Sequence, residues 1–169
     1  NRLTTVQRME ITTDQIGEDN DLFSKVLGLD IEKIRRTLDE ISIDEFNAAV
    51  DSIVHAKNIY IVGIRSSATL AGFLYFYFNQ MFENVRAVGT SSASEVFEEI
   101  FRIGEGDVFI PISFPRYSKR TINAVEYARE TGANVIAITD SEFSPIAQYA
   151  DELLTAQSDM VSFVDSLVA

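Results

Sequence analysis

Asp107-Val-Phe-Ile-Pro-Ile-Ser113 runs directly into Phe114-Pro-Arg-Tyr-Ser-Lys-Arg-Thr121, and the join between these two stretches decides the architecture. The first is a short, unbroken apolar run, the pattern of a strand buried on both faces. The second is a polar turn followed by the opening of a helix. A strand that ends in a hydroxyl and feeds a helix start sets that hydroxyl beside free backbone N–H groups, which together hold anions. Arg116, Lys119 and Arg120 add three positive charges within five residues, with no acid between them. Cations in a first helical turn oppose the helix dipole. A phosphate-bearing ligand is the simplest group to hold them there.

The same strand-then-helix texture repeats on either side. Asn58–Gly63 (Asn-Ile-Tyr-Ile-Val-Gly) is an apolar run ending in glycine and feeding a helix over Ser66–Phe82. Further strand-like runs are Asn84–Gly89, Asn134–Thr139 and Glu152–Ala156, with helical segments at Ala93–Arg102, Ser118–Thr131 and Ser144–Tyr149. Five short strands alternating with helices predict an α/β fold: a three-layer αβα sandwich around a five-stranded, parallel, doubly wound sheet. Upstream, Phe23, Val26, Leu27, Ile31, Ile34, Leu38 and Ile41 recur at helical spacing. Asp44 is the expected cap of a second helix, with Phe46, Ala49, Val50, Ile53 and Val54 on one face. Residues 1–20 read as a polar arm. The expected division is an arm with linker helices over 1–56 and a ligand-binding domain over 57–169.

Bulk composition narrows the function classes. With 46% apolar residues the chain has enough material for a real core. It holds no cysteine, so disulfides and thiolate metal sites are excluded and a cytoplasmic location fits. No signal peptide is visible. The chain begins at Asn1 rather than Met, and it is expected to be a piece of a longer protein. The longest apolar run, Ala68–Phe82, is interrupted by Thr69, Asn79 and Gln80 and is too short to span a membrane. The net charge of −12 is spread evenly, with 6 basic and 12 acidic side chains in residues 1–56 and 8 and 14 in the remainder. Such a surface does not suit a DNA backbone, which needs clustered cations. There is no phosphate-binding P-loop, dinucleotide fingerprint, metal-binding constellation or Ser-His-Asp set, and no cofactor is expected.

Ligands of doubly wound sheets sit at the carboxyl ends of the strands, where strand order reverses. Those ends are rich in hydroxyls here: Ser66 and Ser67; Ser91, Ser92 and Ser94; Ser113 and Ser118; Thr139 and Ser141. Any one of them has an ordinary alternative as a helix cap. Their concentration at successive strand ends points to a polyol or a phosphate.

Residues 57–156 resemble a sugar isomerase (SIS) domain, a phosphosugar-binding module of flavodoxin-like fold. Residues 22–169 resemble the ligand-sensing half of the RpiR family of bacterial transcription regulators. The resemblance rests on Ile59-Tyr-Ile-Val-Gly63 followed by Ser66-Ser67, on Gly106–Ser113, on Ala124–Ala137, and on Ile138-Thr139 with Ser144-Pro145-Ile-Ala and Ala150-Asp151. It implies a helix-turn-helix upstream through which DNA would be bound, and a C-terminal helix that is cut short here. It also implies sugar-phosphate contacts from Ser67, with Ser66 beside it, from Ser113, and from Ser118 in the family's threonine position. Three positions depart from the family. Pro115 replaces a serine, and Arg116 and Arg65 each replace a glycine. Losing glycine can forbid a left-handed backbone or block a ligand, whereas Arg can hold a phosphate bidentately. Arg116 is therefore open between ligand contact and closing the pocket. For Arg65, pairing with a carboxylate is the favoured reading.

No catalytic residue is assigned. Isomerisation needs a base. His55, the only histidine, reads as a helix-terminal residue, and Glu95 reads as part of an acidic helix face with Glu98 and Glu99. The stretch Leu70–Phe82 is apolar all round, so its helix needs a second partner beyond the sheet. A homodimer contact is preferred over cover from the chain's own helices, and a tetramer is the alternative assembly. The expected function is sensing of a phosphorylated sugar. The rivals are a phosphosugar isomerase and a dimerisation module with a degenerate pocket.

Overall fold

The computed structural model describes residues 22–88 and 93–158. The expected arm, Ser91, Ser92, the Ser94 side chain and the end of the chain lie outside the described residues. The chain divides into two compact units, Ile41–Thr155 forming one and the residues on either side the other. In the outer unit, α1 (Leu22–Glu40) follows the predicted helical spacing. Leu27, Ile31, Ile34 and Leu38 form an exposed apolar stripe along it. The Gln157 backbone N–H donates to Thr37 Oγ1 at 3.0 Å, and its side-chain amide donates to Glu40.

The unit Ile41–Thr155 opens with α2 (Ile43–Val54). It then alternates β1 (Ile59–Gly63), α3 (Ser67–Met81), β2 (Val85–Ala87), α4 (Ala93–Ile100), β3 (Val108–Ile112), α5 (Lys119–Glu130), β4 (Asn134–Thr139) and β5 (Glu152–Thr155). The five strands are parallel, in the order β2-β1-β3-β4-β5. Every residue of β1 and β3 is buried, as the unbroken apolar runs predict. Alternation along each strand sends neighbours to opposite faces. Tyr60, Val62, Phe109, Val135 and Ala137 pack with Val96 and Ile100 of α4 and Ala124, Val125 and Ala128 of α5. Ile59, Ile61, Val108, Ile110 and Ile136 pack on the other face with Ala49 of α2 and Ala71 of α3. The result is the expected three-layer sandwich. Each large apolar side chain so buried contributes about 1.5–3 kcal/mol.

Two local expectations change. The cap of α2 is Ser42, whose Oγ accepts from the Glu45 N–H at 3.2 Å; Asp44 lies inside the first turn, where its charge suits the dipole. The helix expected over Ser144–Tyr149 is only a 3-10 turn, Ala147–Tyr149. Pro145 and a span of six residues leave too few hydrogen bonds to propagate an α-helix.

Both sheet edges are blunted. β2 is three residues long. Along β5, the Leu153 N–H donates to Glu45 Oε2 at 2.9 Å and Ser52 Oγ donates to Glu152 Oε1 at 3.0 Å. No described helix is long and apolar enough to cross a membrane.

Candidate functional site

The strand order reverses between β1 and β3. The chain leaves β1 toward β2 on one side, and from β3 proceeds to β4 and β5 on the other. Gly63 pairs with Ile112 at the carboxyl ends of these adjacent strands, so the two following loops flank one crevice. Four of the five sequence-assigned residues follow those ends within a few positions, and Ser118 occupies the N-cap position of the helix beyond.

On the β1 side, Gly63 sets the geometry. A Cβ at this position would lie 2.2 Å from the Ser67 carbonyl oxygen, a separation no side chain tolerates. The bare backbone lets the start of α3 press against the strand, and Ser67 there is 5% exposed. Ser66 precedes the helix but makes no capping hydrogen bond with its side chain. Arg65 is exposed and has φ 62°. It makes no ion pair among the described residues, so the expected pairing with a carboxylate is not found.

The β3 side repeats this arrangement. Ser113 is 4% exposed, and its backbone N–H donates to the Ile138 carbonyl. Arg116 is exposed with φ 70°. Ser118, half-buried, stands at the cap of α5 without making a side-chain cap. Lys119 and Arg120 open that helix, and no acid lies in its first turn. The left-handed conformation thus persists at both positions where the resemblance implies glycine. A side chain in that conformation costs about 1–2 kcal/mol.

The hydroxyls decide what the crevice can do. Ser42 shows that this chain caps a helix conventionally where a cap is all that is required. At the crevice neither Ser66 nor Ser118 does so. Ser67 and Ser113 are largely buried residues whose hydroxyls make no hydrogen bond among the described residues and are not closed off from solvent. Thr121 Oγ1, on the first turn of α5, is buried without a partner among the described residues. Hydroxyls gathered beside two helix starts are suited to a polyoxygenated anion.

Two residues near the crevice are absent from the sequence reading. The Tyr117 hydroxyl donates to Asp140 Oδ1 at 2.8 Å, and Thr139 Oγ1 donates to the same oxygen at 3.1 Å. This ties the loop after β3 to the end of β4. Burial, and then the hydrogen bond to Asp140, push the Tyr117 phenol well above its ordinary range. The separation of 23 residues hides the contact from local patterns; an acid directly after a strand end is the available signal.

The remaining candidates lie elsewhere. His55 caps the C-terminus of α2, its Nδ1 2.8 Å from the Asp51 carbonyl oxygen. It precedes β1, so it sits at the amino edge of the sheet, about 17 Å of strand from the crevice. Glu95 is half-buried in the first turn of α4. A cleft of about 770 Å³ lined by Arg86, Phe97, Glu98, Glu99, Phe101 and Arg102 opens beside β2. It follows the C-terminal end of α4, which a right-handed crossover returns toward the amino ends of the strands.

Comparison with known proteins fits this geometry. A family model for the SIS domain matches residues 52–169. The transcriptional regulator HexR of Escherichia coli is 32% identical over 126 residues, covering 74% of this chain and 41% of the regulator. The regulator RpiR of the same organism is 25% identical over 145 residues, covering 86% and 48%. The chain spans about half the length of the curated relatives it matches. Among solved structures, the sugar isomerase domain of an RpiR transcription factor from Sphaerobacter thermophilus superposes with a TM-score of 0.82 at 31% identity, over 88% of this chain and 83% of that one. The NanR protein of Vibrio vulnificus, complexed with ManNAc-6P, shares the fold with a TM-score of 0.74 at 15% identity, over 90% and 55%.

Proposed function

Since this chain belongs to the SIS-domain family, in its RpiR-type branch, we propose that it is the ligand-sensing part of a bacterial, cytoplasmic transcription regulator. Its ligand is a phosphorylated sugar, and residues 57–169 bind it. Ser113, Ser118 and the start of α5 take the phosphate; Ser67, with Ser66, takes the sugar end or a second polar group. Residues 1–56 carry the response to an upstream helix-turn-helix, which contacts DNA. The observation that carries this reading is the placement of Ser67 and Ser113, two largely buried serines whose hydroxyls make no hydrogen bond among the described residues, at the point of strand reversal. NanR, which shares the fold, is complexed with a phosphorylated amino sugar.

The protein does not turn its ligand over. Isomerisation would need a base beside the sugar, and His55 is at the wrong edge of the sheet. The regulator assembles as a homodimer, or as a tetramer built from it. Phe73, Phe76, Tyr77 and Met81 on the outer side of α3 are 65, 61, 50 and 64% exposed. An aromatic face of that kind suits contact with a second copy.

The test is thermal unfolding of the chain with sugar phosphates and with the corresponding free sugars. A ligand at a hundred times its dissociation constant adds about 2.7 kcal/mol, or about 5–11 °C for a chain of this length. The expected shift requires the phosphate, is lost in Ser113→Ala and leaves the sugar chemically unchanged. Conversion of the sugar would establish an isomerase instead. Absence of any shift would leave a dimerisation module.

A further inference from the structure

The cleft beside β2 lies toward the amino ends of the strands, away from the crevice, and the function proposed above makes no use of it. Its two cations are held without a carboxylate. Arg86, in β2, places its guanidinium 5.4 Å from the ring centroid of Tyr60, its neighbour on β1. Burial raises the Tyr60 phenol, and the charges of Arg86 and Arg102 oppose that rise, so both guanidiniums stand near one buried ring. Neither arginine makes an ion pair among the described residues. Glu98 stands four residues before Arg102, the spacing and order of a helical ion pair, yet α4 ends at Ile100 and the pair is not made. The remaining wall is aromatic and equally fixed. Phe97 sets its ring edge-on to Tyr127 of α5, with 5.9 Å between centroids, and the Tyr127 hydroxyl donates to the Phe101 carbonyl at 3.2 Å. Phe101 itself is 73% exposed. Glu98 and Glu99 complete the lining.

We infer that this cleft binds a nucleoside phosphate, a second ligand separate from the one in the crevice. Each lining group answers one part of such a molecule. The guanidiniums take the phosphate, Arg86 being set in place by its stacking on Tyr60. The exposed phenyl ring of Phe101 takes the flat face of the base, a contact open to every base because each has a π-face. The carboxylates accept hydrogen bonds from ribose hydroxyls and from a base amino group. The volume of about 770 Å³ falls within the range of about 300–1,000 Å³ usual for small-molecule sites. A sugar phosphate would leave the phenyl rings without a partner, and a plain aromatic acid would leave the carboxylates without one. A nucleic-acid strand is disfavoured by the net charge of −12. Nothing in the cleft depends on the phosphosugar reading of the crevice.

The test is calorimetric titration of the chain with AMP, GMP and UMP, with the three nucleosides and with inorganic phosphate. At least one nucleotide is expected to bind about tenfold or more tighter than its nucleoside and than phosphate. Phe101→Ala, at an exposed ring, should weaken that nucleotide about fivefold or more and leave phosphate unaffected. Arg102→Gln should weaken it about tenfold or more and leave the nucleoside unaffected. Both substitutions lie on the surface, and both variants should keep the parent's midpoint in urea, so that lost binding is not lost folding. Equal binding of phosphate and nucleotide would leave a bare anion site and overturn the assignment. Nucleotide binding that neither substitution changes would place the base elsewhere and overturn it too. So would failure of all three nucleotides to bind at millimolar concentration.

Discussion

Replacing Arg65 by glycine is expected to make the protein more stable. Arg65 lies at φ 62°, where a residue with a Cβ costs about 1–2 kcal/mol. Glycine removes that cost but adds about 0.5–1 kcal/mol of backbone entropy to be lost on folding. No ion pair among the described residues offsets the exchange. The net gain is about 0–1.5 kcal/mol, centred near 0.75 and equivalent to about 2–3 °C in melting temperature at this chain length. Most substitutions destabilise, so the sign alone is informative. The control is Arg65→Ala, which removes the charge but keeps the Cβ and should stay within about 0.5 kcal/mol of the parent. Urea unfolding checks both, the glycine variant showing a higher midpoint at unchanged slope. If glycine and alanine variants have the same midpoint, the left-handed backbone stores no strain.

Other expectations concern packing, assembly and the loop tether. Gly63→Ala would drive a methyl to 2.2 Å from the Ser67 carbonyl oxygen, and a loss of about 1–3 kcal/mol in urea unfolding should follow. Phe76→Glu places a charge in the exposed face of α3 and, on the proposed homodimer, should give monomers in light scattering where the parent gives dimers, while circular dichroism stays unchanged. Tyr117→Phe removes the hydrogen bond to Asp140 and should cost about 0.5–1.5 kcal/mol. The Tyr117 phenol is raised above its ordinary pKa, so its stabilisation is complete below about pH 10 and is lost as pH climbs toward the folded-state value. The stability difference between Tyr117→Phe and the parent should therefore be constant from neutral pH to about 10 and shrink only above it.

The sheet was legible because its strands are buried on both faces and so read as unbroken apolar runs; Asn134–Thr139 matches to the residue. Errors arose where short-range chemistry competes. Asp44 and Ser42 are both good caps, and the choice turned on which reaches the Glu45 N–H. The Glu45 carboxylate itself went to β5, a contact across 108 residues that no local pattern encodes. At the site, hydroxyls at strand ends were visible, but that Ser66 and Ser118 do not cap their helices was not, because a serine that caps and one that does not look alike in sequence. The left-handed arginines were the least legible element. Arginine carries no preference for that conformation, and only the glycines of similar sequences flagged the positions.

The carboxylate of Glu45 on the Leu153 N–H, with the brevity of β2, bears on how this protein fails. A parallel sheet left open at its rim is a template for further strands, and runaway stacking is the usual result. Here α2 closes the β5 rim, so its departure would open it. A fragment starting after α2 should retain the sheet and its pocket yet precipitate. Glu45→Ala in the full chain should raise the rate of fibrillar or amorphous deposition at elevated temperature more than it lowers the melting point. In that sense the helix before the first strand acts as a gatekeeper of solubility for everything that follows it.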